Sequence, residues 1–267
     1  MNKPDTIISK PRSMAERLGM EPDKFARKFG RDWHLTVIEA ANVTPHMRRV
    51  TFGCPDIDEM KLKPGQSVVL LLPGAGDEFI RRHYTIRGLD RAGLRVAIDF
   101  VLHGDAPGAN WARHAKTGDE IDALGPRGHV WLHPEADWHL FVGDETALPA
   151  IAVMLESLKA GDTATSIIEV EGKADEQALA SKADARITWL HRNAPARPGS
   201  GALIDALAAL SIPSDRQAHV YLAGETSTVR AQRQRLVARG IAKDRISAEG
   251  YWRPGRVGGH DHVDDEH

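Results

Sequence analysis

The segment "FIRRHYTIR", residues 79–87, places three arginines, a histidine and a tyrosine in a stretch with the character of a β-strand. Side chains alternate between the two faces of a strand, so Arg82 and Tyr84 share one face with Ile80 and Ile86. A cation and a phenol among aliphatic side chains suit a ligand that is both apolar and anionic. The alternative is an exposed strand whose arginines extend toward solvent.

The sequence around this segment predicts an antiparallel β-barrel. Strand-like runs are separated by turns rich in Gly, Pro, Asn or Asp. These runs are residues 34–44, 47–54, 66–74, 79–89 and 94–102. Five or six short strands with one helix are typical of a small barrel. We assign residues 33–136 to this domain and residues 1–32 to an N-terminal extension.

From Asp137 onward the pattern changes to short apolar strands that alternate with helices. The predicted strands are residues 138–144, 163–172, 186–192, 217–225 and 246–252, and the predicted helices are 147–160, 176–181, 201–210 and 228–240. Such alternation indicates a parallel sheet covered by helices. The predicted fold class is therefore β + α/β, with the α/β domain at residues 137–256.

Composition limits the functional classes. The chain has 267 residues and a net charge of −2, so its overall charge favours neither nucleic acid nor a membrane surface as partner. Its single cysteine, Cys54, cannot form an internal disulfide. The longest aliphatic run, residues 68–72, is too short to span a membrane. We predict a cytoplasmic monomer whose acidic, histidine-rich tail, residues 257–267, is disordered and holds no metal.

A second informative segment is "DFVLHGDAPGANWA", residues 99–112, in which a strand passes through a Gly/Pro turn into a helix. The first N–H groups of a helix have no partner within it, and such a start attracts phosphate. Asn110 either adds a donor to a pyrophosphate or caps the helix. His103 either flanks a ring system or is structural. Together with Arg82 and Tyr84, this turn suits a dinucleotide with a planar head, and flavin adenine dinucleotide (FAD) fits that description.

Six motifs, in order, resemble the siderophore-interacting protein family of flavin-dependent ferric-siderophore reductases, within the ferredoxin-reductase-like superfamily. They are "RRHYTIR", "DFVLHGDAPGANWA", "GPRG", "GDETALPAI", "YLAGETSTVRAQRQRL" and "EGYWRPG", between residues 81 and 255. The resemblance covers about residues 33–256. It implies an N-terminal FAD-binding barrel followed by a domain of the NAD(P)H-binding type.

The resemblance also implies roles for individual residues. Arg82 would hold an FAD phosphate, Tyr84 would pack on the flavin, and Thr85 would bond the edge of the flavin ring. The remaining cofactor-binding residues that it implies are His83, Asp99, Val101, His103, Ala109, Asn110, Thr146 and Trp252. For Thr146 the alternative is a helix cap, and for Trp252 it is a core position.

The electron donor and the substrate are expected at the second domain and at the mouth of the flavin site. In "GDETALPAI" acidic residues follow Gly143 where the superfamily has a glycine-rich turn, so we expect a pyridine nucleotide to bind loosely or in another pose. The resemblance favours NADPH, with NADH or ferredoxin as other donors. Arg230, Arg233 and Arg235 either meet its extra phosphate or form a solvated face.

For the ferric siderophore the resemblance implies Arg127 and Arg253. Lys61 is a third candidate, because valine stands at position 69, where relatives often have a lysine.

The predicted activity is FAD-dependent reduction of ferric siderophores with electrons from NADPH. Reduction releases the metal because ferrous iron is held less tightly by hard oxygen ligands, and the flavin carries the chemistry, so no catalytic side chain is predicted. Two alternatives remain. One is a flavin reductase that serves a protein or oxygenase partner, and the other is a siderophore-binding flavoprotein without catalytic activity.

Overall fold

The computed structural model describes residues 16, 20, 21, 24, 30–74, 76, 78–213, 216–255 and the backbone of 261–262. Most of the predicted N-terminal extension and of the predicted tail therefore lies outside the described residues. Among the described residues, none of the helices has the length and apolar character needed to cross a bilayer.

The first part of the chain is a closed antiparallel barrel of six strands. The strands are β1 (Asp32–Thr44), β2 (Met47–Gly53), β3 (Ser67–Pro73), β4 (Phe79–Asp90), β5 (Arg95–Val101) and β6 (Glu120–Arg127). Their order around the barrel is β1-β2-β5-β4-β3-β6. The barrel prediction is confirmed, and the strand that sequence reasoning did not delimit is β6.

The apolar run in β3 follows from its place in the barrel. Val68, Leu70 and Leu72 point into the barrel core, as the alternation of a strand requires. Val69 and Leu71 lie on the opposite face in a small cluster with Leu124 and Met20. Both faces of β3 are therefore covered, which explains why its sequence does not alternate.

A single helix, α1 (Pro107–His114), follows β5 and closes one end of the barrel. Its Trp111 ring lies 6.0 Å from the ring of Phe52 and 5.6 Å from that of Phe100. Ala112 beside it is fully buried. This packing fixes the start of α1 against the strands, and that start is where the functional site begins.

The second part is a six-stranded sheet in the order β12-β11-β10-β7-β8-β9. Its strands are β7 (Trp138–Asp144), β8 (Thr163–Val170), β9 (Asp184–His191), β10 (Ala218–Glu225), β11 (Ile246–Trp252) and β12 (Asp261–His262), and its helices are α2 (Leu148–Glu156), α3 (Gly201–Ala209) and α4 (Thr226–Ala238). Strands β7 to β11 pair in parallel, and β12 pairs antiparallel with β11. The predicted β + α/β class is confirmed.

Two local predictions differ from the structure. Residues 176–181 were predicted to be helical, but the described segment between β8 and β9 contains a 3₁₀ turn, Lys173–Asp175, followed by extended chain. Leu179 and Ala183 of that segment pack against the sheet core. This packing is the reason we give for the absence of a helix at residues 176–181. In the predicted disordered tail, the described backbone of Asp261–His262 is a short strand.

The barrel and the sheet are joined by ion pairs that position the site between them. Arg87 of β4 binds Glu156 of α2 through two bonds of 2.9 and 2.6 Å. His46, after β1, lies 3.0 Å from Asp175. The predicted domain boundary at residues 136/137 falls in the connection between β6 and β7.

Candidate functional site

A cleft of about 420 Å³ lies where the barrel meets the carboxyl ends of the sheet strands. Most of the residues predicted for the site line it. These are Arg82, His83, Tyr84, Thr85, Asp99, Val101, His103, Ala109, Thr146, Trp252 and Arg253. The fold therefore gathers side chains that lie up to 171 positions apart in sequence. Their roles stay predictions.

Strand β4 contributes four consecutive residues to the cleft because it separates from β5. The pairing of β4 with β5 runs from Ile86 to Asp90, whereas the pairing of β4 with β3 runs from Phe79 to Thr85. In its first half β4 therefore presents one edge to the cleft. Residues 82–85 line the cleft from both faces of the strand, which alternation alone does not predict.

Tyr84 joins β4 to the start of α1. Its ring packs on Phe100 with the ring centroids 4.3 Å apart, and burial raises the pKa of its phenol. A Cβ atom at Gly108 would lie 1.7 Å from the Tyr84 hydroxyl. Glycine at position 108 thus allows the helix backbone to approach the tyrosine closely.

The start of α1 has no side-chain cap. Its N-cap residue, Ala106, makes no side-chain hydrogen bond to the helix. Pro107 has no N–H, so Gly108 and Ala109 supply the first N–H groups, and both residues line the cleft. This arrangement is suited to an anion.

The described contacts of Asn110 lie within its own helix and the loop before it, and its predicted role in binding a pyrophosphate stays a prediction. Its N–H bonds the carbonyl of Ala106 at 2.9 Å, as expected one turn into a helix. Its side-chain Nδ2 donates to the carbonyl of Asp105 at 3.0 Å, and its Oδ1 accepts from Arg113 at 2.7 Å. Asn110 is not among the cleft-lining residues. It binds the loop before its own helix, which is a structural role.

Asp99 lines the cleft as part of an ion pair. Arg49 donates to its two carboxylate oxygens at 2.6 and 2.8 Å. That hydrogen bond is the main cause of the raised pKa of Arg49. The Asp99 side chain is almost fully buried, so the carboxylate requires the arginine. Asp99 therefore holds the wall of the cleft in place.

Strand β11 reaches the barrel through Tyr251. Tyr251 is hydrogen bonded to Thr85, and burial raises the pKa of its phenol. The hydroxyl of Thr85, predicted to bond a flavin, thus has a protein partner here. A Cβ atom at Gly250 would lie 2.4 Å from Thr226 Oγ1, so β11 and α4 are in close contact beside the cleft.

Trp252 is held by Asp144 at the wall of the cleft. Its indole Nε1 donates to Asp144 Oδ2 at 2.8 Å, and its carbonyl accepts from Thr226 Oγ1 at 3.0 Å. The rings of Trp252 and His103 have centroids 6.4 Å apart. Asp144 was expected in the ligand crevice, but its carboxylate binds protein donors and orients the tryptophan.

Only one of the three residues predicted to bind the substrate lines the cleft. Arg253 lines the cleft, whereas Arg127 and Lys61 are not among its lining residues. Lys63 lies over the ring of Trp131, 3.4 Å from its centroid. Val69, the position at which the resemblance implies a lysine, is buried. The arginines that line the cleft are Arg82 and Arg253, and burial lowers the pKa of Arg82.

Further lining residues were not predicted as site residues. They are Ser67, Asp105, Ala106, Pro107, Gly108, Pro149, Thr226, Gly250 and Tyr251. Gly108 carried a usable signal, because a glycine in the first turn of a helix weakens the helix unless close approach requires it. Thr226 and Gly250 carried none, since their proximity depends on the pairing of β10 with β11.

FAD fits this cleft. The glycine at position 108, the uncapped start of α1, the arginine at position 82 and the aromatic walls suit the pyrophosphate and the ring system of such a molecule. The carboxyl edge of the sheet differs, because buried carboxylates lie there. They are Asp144, Glu145, Glu169 and Glu225. Further negative charge beside these carboxylates is disfavoured.

Comparison with known proteins identifies the class to which this fold and site belong. The model of the siderophore-interacting FAD-binding domain matches residues 36–81 and 75–130, and the model of the siderophore-interacting protein matches residues 136–255. The chain belongs to the siderophore-interacting protein family. This confirms the resemblance drawn from the six motifs.

Individual relatives agree with this assignment. A crystal structure of a siderophore utilization protein from T. fusca is 34% identical and superposes with a TM-score of 0.77 over 85% of this chain and 94% of that chain. Ferric vibriobactin reductase ViuB of Vibrio cholerae is 34% identical over 66% of each chain. The NADPH-dependent ferric-chelate reductase of Escherichia coli is 29% identical over 59% of this chain and 60% of that protein. The matched region thus spans somewhat less than two thirds of these curated relatives.

Proposed function

We propose that this protein is an FAD-dependent reductase of ferric siderophores. The observation that carries the proposal is the uncapped start of α1, where Gly108 lies against Tyr84 in a cleft that also contains Arg82. The family assignment supports the proposal, as do the relatives that are named as ferric-chelate and ferric-siderophore reductases.

The chain's own residues bind and orient the cofactor. The N–H groups of Gly108 and Ala109, together with Arg82, are placed to hold its phosphates. Tyr84 and Trp252 supply flat apolar surfaces. When bound, the flavin supplies the conversion between two-electron and one-electron transfer. Because the chemistry belongs to the flavin, we propose no catalytic acid, base or nucleophile.

The substrate side of the cleft is its mouth. Arg253 there attracts an anionic ferric chelate, with Arg82 as a second positive charge. Arg127 and Lys61 stay predicted substrate residues that act from outside the lining of the cleft. Reduction weakens the hold of oxygen ligands on the iron. We propose NADPH as electron donor, on the likeness to the E. coli reductase, and a cytoplasmic monomer as the working form.

The test uses the purified holoprotein without a pyridine nucleotide. The bound flavin is released and quantified, and we expect FAD in a stoichiometry of about one per chain. The flavin is then reduced under anaerobic conditions by light with a sacrificial amine buffer as electron donor, and mixed with ferric hydroxamate, catecholate or citrate. We expect the oxidised flavin spectrum to return while a ferrous chelator traps iron. Protein that binds no flavin, or reduced flavin that persists with every chelate, would contradict the proposal.

A further inference from the structure

We infer that this protein recognises its pyridine-nucleotide donor at the nicotinamide end and does not hold the donor's phosphates at the carboxyl edge of the sheet. The inference rests on the proposed function and concerns how the same site receives electrons. It follows from the carboxylate that occupies the start of α4, from the segment that covers the strand ends and from the small space left there.

The start of α4 is occupied by a carboxylate of the chain itself. Glu225 is the N-cap residue, and it accepts hydrogen bonds from the N–H groups of Ser227 and Thr228, each at 2.9 Å. It also accepts from both of their hydroxyl groups, at 2.5 and 3.0 Å. A phosphate at a helix start uses these same N–H donors. Glu225 therefore takes the place that an anionic ligand would need.

The turn that precedes α2 is held by Asp144, although the N-cap residue of α2, Ala147, makes no side-chain hydrogen bond to the helix. Asp144 accepts from the N–H and the hydroxyl of Thr146, and its carbonyl accepts from the N–H of Ala147 at 3.0 Å. The second residue of α2 is Pro149, which has no N–H to offer. This turn has Asp-Glu-Thr where a glycine-rich turn would let a pyrophosphate approach the backbone.

The segment between β9 and α3 covers the same edge. Arg192 binds Glu145 through two bonds of 2.6 and 2.5 Å, and the hydroxyl of Ser200 donates to Glu169. The N–H of Gly199 donates to Glu225 at 3.1 Å. These contacts fix the segment across the strand ends.

The space and charge left at this edge are also unfavourable for phosphates. The cavity bounded by Asp144, Glu169 and Glu225 measures about 10 Å³, which accommodates about one water molecule. Burial, and then the charge of Asp144, raise the pKa of Glu145 to about 7 although Arg192 opposes the shift. A carboxyl group whose ionisation is already penalised marks a site where further negative charge is disfavoured. Arg197 borders the cavity but is exposed.

The test compares donors that differ only in the part remote from the nicotinamide. Holoprotein is mixed anaerobically with NADPH, NADH or reduced nicotinamide mononucleotide, and bleaching of the flavin is followed against donor concentration. We expect the second-order rate constants for the three donors to agree within about tenfold. A larger preference for NADPH over the mononucleotide would overturn the inference.

Two variants sharpen the test. Glu225→Ala exposes the N–H groups at the start of α4. We expect this variant to raise the ratio of the rate constant for NADPH to that for the mononucleotide by about fivefold. Arg197→Ala should leave the ratio of the two rate constants unchanged. If the rate constant for NADPH falls about fivefold or more in that variant, the edge does bind phosphate. If none of the donors bleaches the flavin, the inference is overturned, whereas the proposed function, tested by photoreduction, is unaffected.

Discussion

Helices α1 and α4 each begin in a turn that follows a strand, but they differ in whether a side chain caps their first N–H groups. At α1 the N-cap residue is Ala106, which offers no side-chain acceptor, and the helix begins beside an arginine-bearing strand. At α4 the N-cap residue is Glu225, whose carboxylate accepts from the first turn of the helix. The first turn leaves donors available to a ligand and the second does not. The comparison indicates that a strand-to-helix turn is available to a phosphate only where the chain does not satisfy the donors itself.

The largest expected effect is at Gly108. In Gly108→Ala the new Cβ atom meets the Tyr84 hydroxyl, so either the tyrosine or the start of α1 must move. We expect FAD affinity to fall by about 30-fold to 100-fold, the equivalent of an overpacking cost of about 2 to 3 kcal/mol. Equilibrium titration of the apoprotein with FAD measures the change.

Gly201→Ala is the matched control for that substitution. Gly201 also lies in the first turn of a helix, and a Cβ atom there meets no atom within 4 Å. Its FAD affinity should equal that of the wild type. Equal affinities for the Gly108 variant and the wild type would show that the approach of α1 to Tyr84 does not matter for binding.

Arg82→Ala should have the next largest effect. The guanidinium lies in the cleft with the open start of α1, and its loss removes a charge-assisted contact to phosphate. We expect FAD to bind about tenfold more weakly, with a smaller dependence on salt concentration. Arg81→Ala, on the neighbouring exposed position, is the control. An equal loss in both variants would indicate a general charge effect.

Glu225→Gln tests the side-chain cap of α4 through the stability of the fold. Of the predicted effects, this one should be the smallest. Burial alone would raise the pKa of Glu225, but hydrogen bonds from Ser227, Thr228 and Gly199 outweigh burial and hold the pKa below the usual value for a glutamate. The ionised cap therefore stabilises the fold above about pH 4.5 and loses this effect as the pH falls through the lowered pKa.

We expect Glu225→Gln to reduce the free energy of unfolding by about 1 kcal/mol at pH 7, and the difference from wild type to shrink below pH 4.5. Urea unfolding at several pH values gives this difference. Glu120→Gln, a change at an exposed carboxylate on the barrel, is the control. A difference that does not depend on pH would mean that the charge of the cap is not what stabilises α4.

The fold was largely predictable from local pattern. Alternation and turn residues located five barrel strands, and the alternation of strands and helices located the parallel sheet. Residues 176–181 have helical composition, but tertiary packing of Leu179 decides their extended conformation. Such an override by tertiary contacts has no local signal.

The site was predictable where a motif is continuous. Residues 82–85 lie on one strand, which keeps them together, but their shared presence in the cleft depends on the separation of β4 from β5. The side-chain contacts of Asn110 with Asp105 and Arg113 could not be read from the sequence, because they depend on the conformation of the loop before α1. The bond between Asp144 and Trp252 joins residues 108 positions apart, and only the register of β10 with β7 and β11 brings them together.

The most direct measurement of the central claim compares FAD with riboflavin. Apoprotein is titrated with each compound, and quenching of flavin fluorescence gives both dissociation constants. If the open start of α1 and Arg82 hold the cofactor's phosphates, FAD should bind about 100-fold more tightly than riboflavin, which has none. Dissociation constants that agree within about threefold would show that the ring system alone is recognised, and would contradict the account.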